Sequence, residues 1–221
     1  SVKDVAKNHS RLIDIIMARV FSHNTIKDLA ENADIPVIYG LCDLEHPCQI
    51  LCDLFTVIEK QGDLNKTTIA FIGDGNNVCN SFIAASTLLD FKLNVATPEG
   101  YEPNKEYMAK AKNVKWTSNP AEAVREADVI YTDVWASMGQ ESEAEQRKKI
   151  FRPFQVNNEL LRNTQNKDYL IIHFLPAHRG EEITDEVIDG PHSIVFDQAE
   201  NRLHIQKGIM VFYAECSEEY H

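Results

Sequence analysis

Five short stretches carry side chains whose types and spacing could do chemistry. HPCQ (46–49) places His46 and Gln49 three residues apart, so both project from one face of a helical turn. Pro47 suits the first position of a helix. A helix start that carries a histidine and an amide donor can hold an anion or polarise a carbonyl. IGDGNN (72–77) runs from an apolar strand into a glycine turn; one of Asn76 and Asn77 is placed to cap the next helix, which leaves the other to face a ligand. In DVWASMGQE (133–141) an acid ends a strand, and Ser137, Met138 and Gly139 make the loop after it. HFLPAHRGEEIT (173–184) sets two histidines and an arginine behind a buried strand, and AENRLH (199–204) puts Arg202 in the first turn of a last helix. Each stretch, taken alone, also has a purely structural reading as a cap or a turn.

The elements that must position these groups alternate. Segments 13–21, 35–41, 67–74, 93–98, 114–118, 128–135, 169–176 and 193–197 read as strands. Helical spacing runs from Pro47 to about Lys60, over 77–89, 106–112, 119–127 and 142–150 (a solvent-exposed helix), and over 199–216. Such alternation predicts an α/β protein with parallel sheets covered on both faces. Ligands of such sheets bind beyond the C-terminal strand ends, where Arg19, Asp74, Asp133 and His173 fall. The dinucleotide fingerprint is not met, because Val78 stands where the third glycine of G-x-G-x-x-G belongs.

Bulk properties exclude more than they assign. The 221 residues are 43% hydrophobic and 25% charged, enough for one large or two small domains, and the formal net charge of −12 argues against a nucleic-acid partner. No apolar run approaches the roughly 20 residues that span a bilayer, so no membrane partner is expected. Cys42, Cys48, Cys52, Cys79 and Cys216 form no CxxC pair and read as free thiols of a reducing compartment. Cys48 and Cys52, four apart on a helix, lack the further ligands zinc would need and read as small buried side chains.

The five stretches, in this order and approximate spacing, resemble the ornithine carbamoyltransferase family over nearly the whole chain. IMARVFSH (16–23), YGLCDLEHP (39–47) and DEVIDGPHSIVFDQAENR (185–202) strengthen the likeness. The resemblance implies two doubly wound parallel-sheet domains, the first incomplete and the second Rossmann-like, joined by a terminal helix that returns to the first. It implies a carbamoyl phosphate domain over 1–62, an ornithine domain over 63–198 and the helix over 199–221. It implies that Arg19, His46, Gln49, Phe174, Leu175 and Arg202 meet carbamoyl phosphate, Phe174 and Leu175 through backbone groups. Asn77, Asp133, Ser137 and Met138 would line the ornithine site, and His173 would support the loop behind it. It further implies a cytoplasmic homotrimer of arginine metabolism that needs no metal or organic cofactor.

Two departures from the family pattern stand out. Its S-x-R-T-R phosphate loop has no counterpart here, so the chain reads as a fragment that begins late in the first domain. Phe174 occupies the position of the family's H-C-L-P cysteine, and a phenyl ring can neither ionise nor hydrogen-bond. These departures leave two rivals: a carbamoyltransferase for putrescine or an acylated ornithine, and a non-catalytic or regulatory relative.

Overall fold

The computed structural model describes residues 1–137 and 139–218, the side chains of 141 and 216–218 excepted. Its order is α1 (Val2–His9), β1 (Ile16–Arg19), α2 (His23–Asn32), β2 (Val37–Leu41), α3 (Pro47–Gln61), β3 (Thr68–Ile72), α4 (Asn77–Leu89), β4 (Lys92–Ala96), α5 (Lys105–Lys110), β5 (Val114–Thr117), α6 (Pro120–Val124), β6 (Val129–Thr132), α7 (Ala144–Phe151), α8 (Asn158–Leu161), β7 (Leu170–Ile172), α9 (Asp185–Ile188) and α10 (Val195–Glu218). The α/β class expected from the alternation is present, with parallel pairing throughout two sheets.

β1 and β2 pair in one sheet, and the other has the order β5-β4-β3-β6-β7. In the larger sheet the chain works outward from β3 to one edge, then crosses back to β6. The gap between the ends of β3 and β6 is therefore the topological switch point, where open α/β sheets bind ligands. β3 shows why the sheet is buried on both sides. Ile69 and Phe71 enter a core with Val78 and Phe82 of α4, whereas Ala70 and Ile72 enter a second core with Val124 of α6 and Ile171. That two-residue period is the pleat of a strand with helices on both faces.

Local chemistry explains the helices nearest the switch point. α3 starts with Pro47 at its first position and stops at Gly62, whose φ of 87° suits a residue without a Cβ. α4 is capped by Asn76, whose side-chain oxygen accepts from the backbone N–H groups of Val78 and Cys79. The two glycines before it have different causes. Gly73 has a φ of 146°, and a Cβ on Gly75 would lie 2.4 Å from the backbone of Glu102 and Pro103. A structural turn accounts for both.

Several expected boundaries shift. Residues 193–197 are not a strand: Ser193 makes one isolated bridge to Ile171, and α10 begins at Val195. The apolar run there serves to bury Ile194 and Val195 against the sheet at the helix start. Arg202 consequently lies two turns into α10 rather than in its first turn. The helix over 142–150, expected to be exposed, starts at Ala144 and buries Arg147 and Phe151. The segment at 169–176 is a strand only over Leu170–Ile172, and α1, α2, α8 and α9 were not anticipated.

α10 returns across α3. Asn201 Nδ2 donates to Glu59 Oε2 at 2.6 Å, Lys60 pairs with Asp197 at 3.1 Å, and the Cys52 thiol donates to the Gln198 carbonyl at 3.2 Å. Among the described residues no helix is long and apolar enough to cross a membrane.

Candidate active site

The polar groups converge on the switch point and on the start of α3. Asp133 follows β6 and is buried; its Oδ2 accepts from Asn76 Nδ2 at 2.9 Å and its Oδ1 from the Val134 N–H at 2.7 Å. Asn76 therefore caps α4 with its oxygen and holds Asp133 with its nitrogen. Burial pushes the Asp133 carboxyl up to about 6, against the pull of His173 and of these two donors. Asn77 is not the cap. It opens α4, and its Nδ2 donates to the Cys42 carbonyl at 2.8 Å.

The segment leading to α3 is seated on α4. Besides Asn77, Asn80 Nδ2 donates to the Leu44 carbonyl at 3.2 Å, and the His46 N–H donates to Ser81 Oγ at 2.7 Å. Glu45 accepts a short hydrogen bond from the Tyr107 hydroxyl of α5. These contacts fix His46 at the N-cap position of α3, yet its side chain makes no capping bond. The ring is buried, and its Nδ1 has no protein partner. Burial, then the positive charges of Arg202 and Arg19, push the His46 pKa down to about 4, with the Gly40 backbone opposing. His46 is thus a neutral imidazole at pH 7. The same three residues are brought together from β1, α3 and α10. Arg202 reaches them with a buried Nη1 that has no hydrogen-bond partner.

Phe174, half-buried, bridges this cluster and the loop after β7. Its ring meets the His46 ring edge-on and the His173 ring tilted, with centroids 6.0 Å away in both cases. His173 is fully buried; its Nε2 contacts Glu182 Oε1 at 3.1 Å and its Nδ1 accepts the Leu175 N–H at 2.9 Å. Leu175 adopts a φ of 58°, a conformation that costs a non-glycine residue about 1 kcal/mol. The bond to His173 helps hold it there.

The loop after Asp133 is anchored from below. Arg147 donates to the Trp135 carbonyl and to Asp74 in two short bonds, and lies over the rings of Tyr101 and Phe151 at 4.8 and 5.0 Å. Ser137 is half-buried; its N–H donates to Gln140 Oε1 at 3.0 Å. Met138 lies outside the described residues.

Cys42, Cys48, Cys52 and Cys79 are free and buried. Among the described residues, one group could bring metal-type ligands together: His178, Glu181 and Glu182, with ligand atoms within 4.8 Å of one another. Glu182 is already engaged there by His173 and by the His178 N–H.

Residues 65–213 match the model of the Asp/Orn-binding domain of aspartate/ornithine carbamoyltransferases, and residues 1–59 match that of the carbamoyl phosphate-binding domain. The chain belongs to the aspartate/ornithine carbamoyltransferase family. It is 54% identical over 214 residues to an ornithine carbamoyltransferase of Archaeoglobus fulgidus, covering 95% of this chain and 69% of that relative. It also resembles the solved ornithine carbamoyltransferase of Pyrococcus furiosus at 51% identity and a TM-score of 0.91, covering 95% of this chain and 69% of that one. The anabolic enzyme of Campylobacter jejuni gives a TM-score of 0.91 at 34% identity, with 97% and 74% covered.

Within this carbamoyltransferase fold, several engaged residues escaped sequence reasoning. Arg147, Glu182, Asp53 and Gln198 are all tied to site residues, and the bond from Asn76, a candidate cap in the sequence, to Asp133 was not foreseen. One signal was readable: Asp53 interrupts the apolar face of α3, among Ile50, Leu54 and Val57, all buried. An acid there needs a partner.

Proposed function

We propose that this chain transfers the carbamoyl group of carbamoyl phosphate to the side-chain amine of L-ornithine, forming citrulline and phosphate. The observation that carries the reading is the neutral, buried His46 flanked by Arg19 and Arg202. A site for a doubly anionic donor needs cations for its phosphate and an uncharged donor for its carbonyl. The cluster has both.

The amine attacks the carbamoyl carbon, the C–O bond to phosphate breaks with its electron pair leaving on phosphate, and the proton that nitrogen sheds in becoming a ureido N–H goes to the departing phosphate. An alkyl ammonium with a pKa near 10.4 must first lose a proton, which costs roughly 4–5 kcal/mol at pH 7. In the reading proposed, His46 and Gln49 donate to the carbamoyl oxygen as negative charge grows there. Arg19 and Arg202 hold the leaving phosphate. Backbone groups of Phe174 and Leu175 line the carbamoyl group. Asp133 attracts the α-ammonium of ornithine; Asn77, Ser137 and Met138 complete the grip on its α-amino and carboxylate ends. Asn77 spends its Nδ2 on Cys42, which leaves its Oδ1 as an acceptor.

The division proposed is a carbamoyl phosphate domain over 1–62, an ornithine domain over 63–198 and a returning helix over 199–221. Family resemblance supports a homotrimer in the cytoplasm, serving arginine synthesis. Sedimentation of the intact polypeptide tests the trimer.

The deciding experiment offers ornithine, putrescine and an N-acylated ornithine to the intact polypeptide at one carbamoyl phosphate concentration and measures each ureido product. Citrulline should dominate. Preference for either other amine, or no product from any, would sink the reading.

A further inference from the structure

Asp53 has no place in the chemistry above, yet it lies at the centre of a buried hydrogen-bonded line. It sits on α3 one turn beyond Gln49 and is fully buried. Its Oδ1 accepts from Gln49 Nε2 at 2.7 Å and from Gln198 Nε2 at 2.6 Å. Gln198 comes from the first turns of α10, and its Oε1 accepts the His173 backbone N–H at 2.9 Å. His173 Nδ1 accepts the Leu175 N–H, so the ring proton belongs on Nε2, facing Glu182. Every link has one sense. Burial pushes the Asp53 carboxyl up to about 7, but Oδ1 accepts whether or not Oδ2 carries a proton, so both amides turn their nitrogens toward it. Gln198 then presents its oxygen to His173, and Gln49 keeps its own oxygen and one N–H for other partners.

We infer that Asp53 is a positioning residue for carbamoyl transfer: through Gln49 and Gln198 it sets the HPCQ turn and the 173–175 loop at a fixed separation. The inference rests on the reading that Gln49 and that loop meet the carbamoyl group. A group displaced by about 1 Å from the reacting geometry can lower a rate by about a hundredfold. A buried acid that accepts from two amides on different elements holds such a separation well, since an unmet donor there is costly. Asparagine can replace it: one amide oxygen has two lone pairs, and its nitrogen then faces the Tyr131 hydroxyl, the other polar neighbour of Asp53. Leucine cannot.

The test compares Asp53→Asn, Asp53→Leu and Gln198→Met in the intact polypeptide. Asp53→Asn should keep kcat within about threefold of the parent, whereas Asp53→Leu should lower it about tenfold or more with the ornithine KM little changed. Gln198→Met should reproduce the drop from the other side, and the double variant should fall no further than the weaker single one. A merely structural role would cost stability and leave kcat alone. The inference is overturned by a folded Asp53→Leu with kcat within about twofold of the parent, by multiplying effects in the double variant, or by an equal drop in Asp53→Asn. If Asp53→Leu does not fold, Gln198→Met carries the test with the same thresholds. A parent that makes no citrulline would sink the functional reading instead. Calorimetric affinity for carbamoyl phosphate then replaces kcat: about tenfold weaker binding in Gln198→Met supports the inference, and unchanged affinity overturns it.

Discussion

The Phe174 ring meets His46 edge-on at an interplanar angle of 74°. The position where the family's thiol is expected is thus filled by an apolar wall that helps keep His46 dry. Phe174→Cys would place an ionisable group beside the reacting amine. In the intact polypeptide we expect kcat/KM for ornithine to rise about threefold or more. The thermal midpoint should fall, because the ring packs against the core and its removal leaves a void. An unchanged or lower kcat/KM would show that the pocket has adapted around the ring.

His46 makes stability depend on pH with a definite sign. Its folded pKa of about 4 lies below the ordinary 6.5, so the unfolded chain binds a proton in that window and the folded one does not. Stability is full above pH 6.5 and lost as pH falls toward 4, by roughly 3 kcal/mol from this group alone. His46→Asn should flatten the denaturation profile over this window relative to the parent. The acid limb of the kcat/KM profile should not arise from His46, so the residual activity of the variant should keep that limb. Its disappearance would contradict the neutral ring.

Asn76 serves a helix and an acid at once. Asn76→Ala removes the α4 cap, worth about 1 kcal/mol, and leaves Asp133 short of a donor, worth roughly 1–3 kcal/mol more. Urea denaturation should report a loss near that sum. The ornithine KM should rise while affinity for carbamoyl phosphate, read by calorimetry, holds. A shift in carbamoyl phosphate affinity alone would place Asp133 on the wrong substrate.

Arg147→Met should destabilise the protein by about 3–5 kcal/mol, because Asp74 is left buried without its partner. Burial already raises the Asp74 carboxyl, with Arg147 as the main opposing influence. Without Arg147 the folded pKa rises further above the unfolded one, so the variant is relatively better below the unfolded pKa and worse as pH rises through the folded one. The deficit should therefore be largest at neutral pH. Adding Asp74→Asn should recover much of it in thermal melts. A full deficit in the double variant would point to the lost bond with Trp135 instead.

Much of this was legible in the sequence, for a physical reason. β3 carries an unbroken apolar run over 69–72 between Thr68 and Gly73, and strands buried on two faces must look so. Asp133 and His173 follow β6 and β7, where the sequence reading put them, because strand ends in parallel sheets face the ligand crevice. What stayed hidden is pairwise. Arg147 lies on a helix whose composition looks exposed, and its partner Asp74 is 73 residues away. No local pattern reveals that two charges will share a buried site. α1 and α2 escaped for the opposite reason: they bury only Ala6, and Ile26 with Leu29, too few to make a stripe. At 193–197 β-branched residues imitate a strand, whereas burial against the sheet decides for the helix.

Gln198, as the link between Asp53 and the His173 backbone, also sets an order of events during synthesis. Residues 46 to 53 leave the ribosome long before residue 198 exists. Until then the Asp53 carboxylate has Gln49 beside it but lacks its second amide donor, and the N–H of His173 lacks its acceptor. The nascent chain can build both sheets from local strand–helix units as they emerge. If Asp53 positions the site as inferred, the spacing between its two halves becomes definite only when α10 docks, so a stalled or clipped chain short of that helix lacks the link.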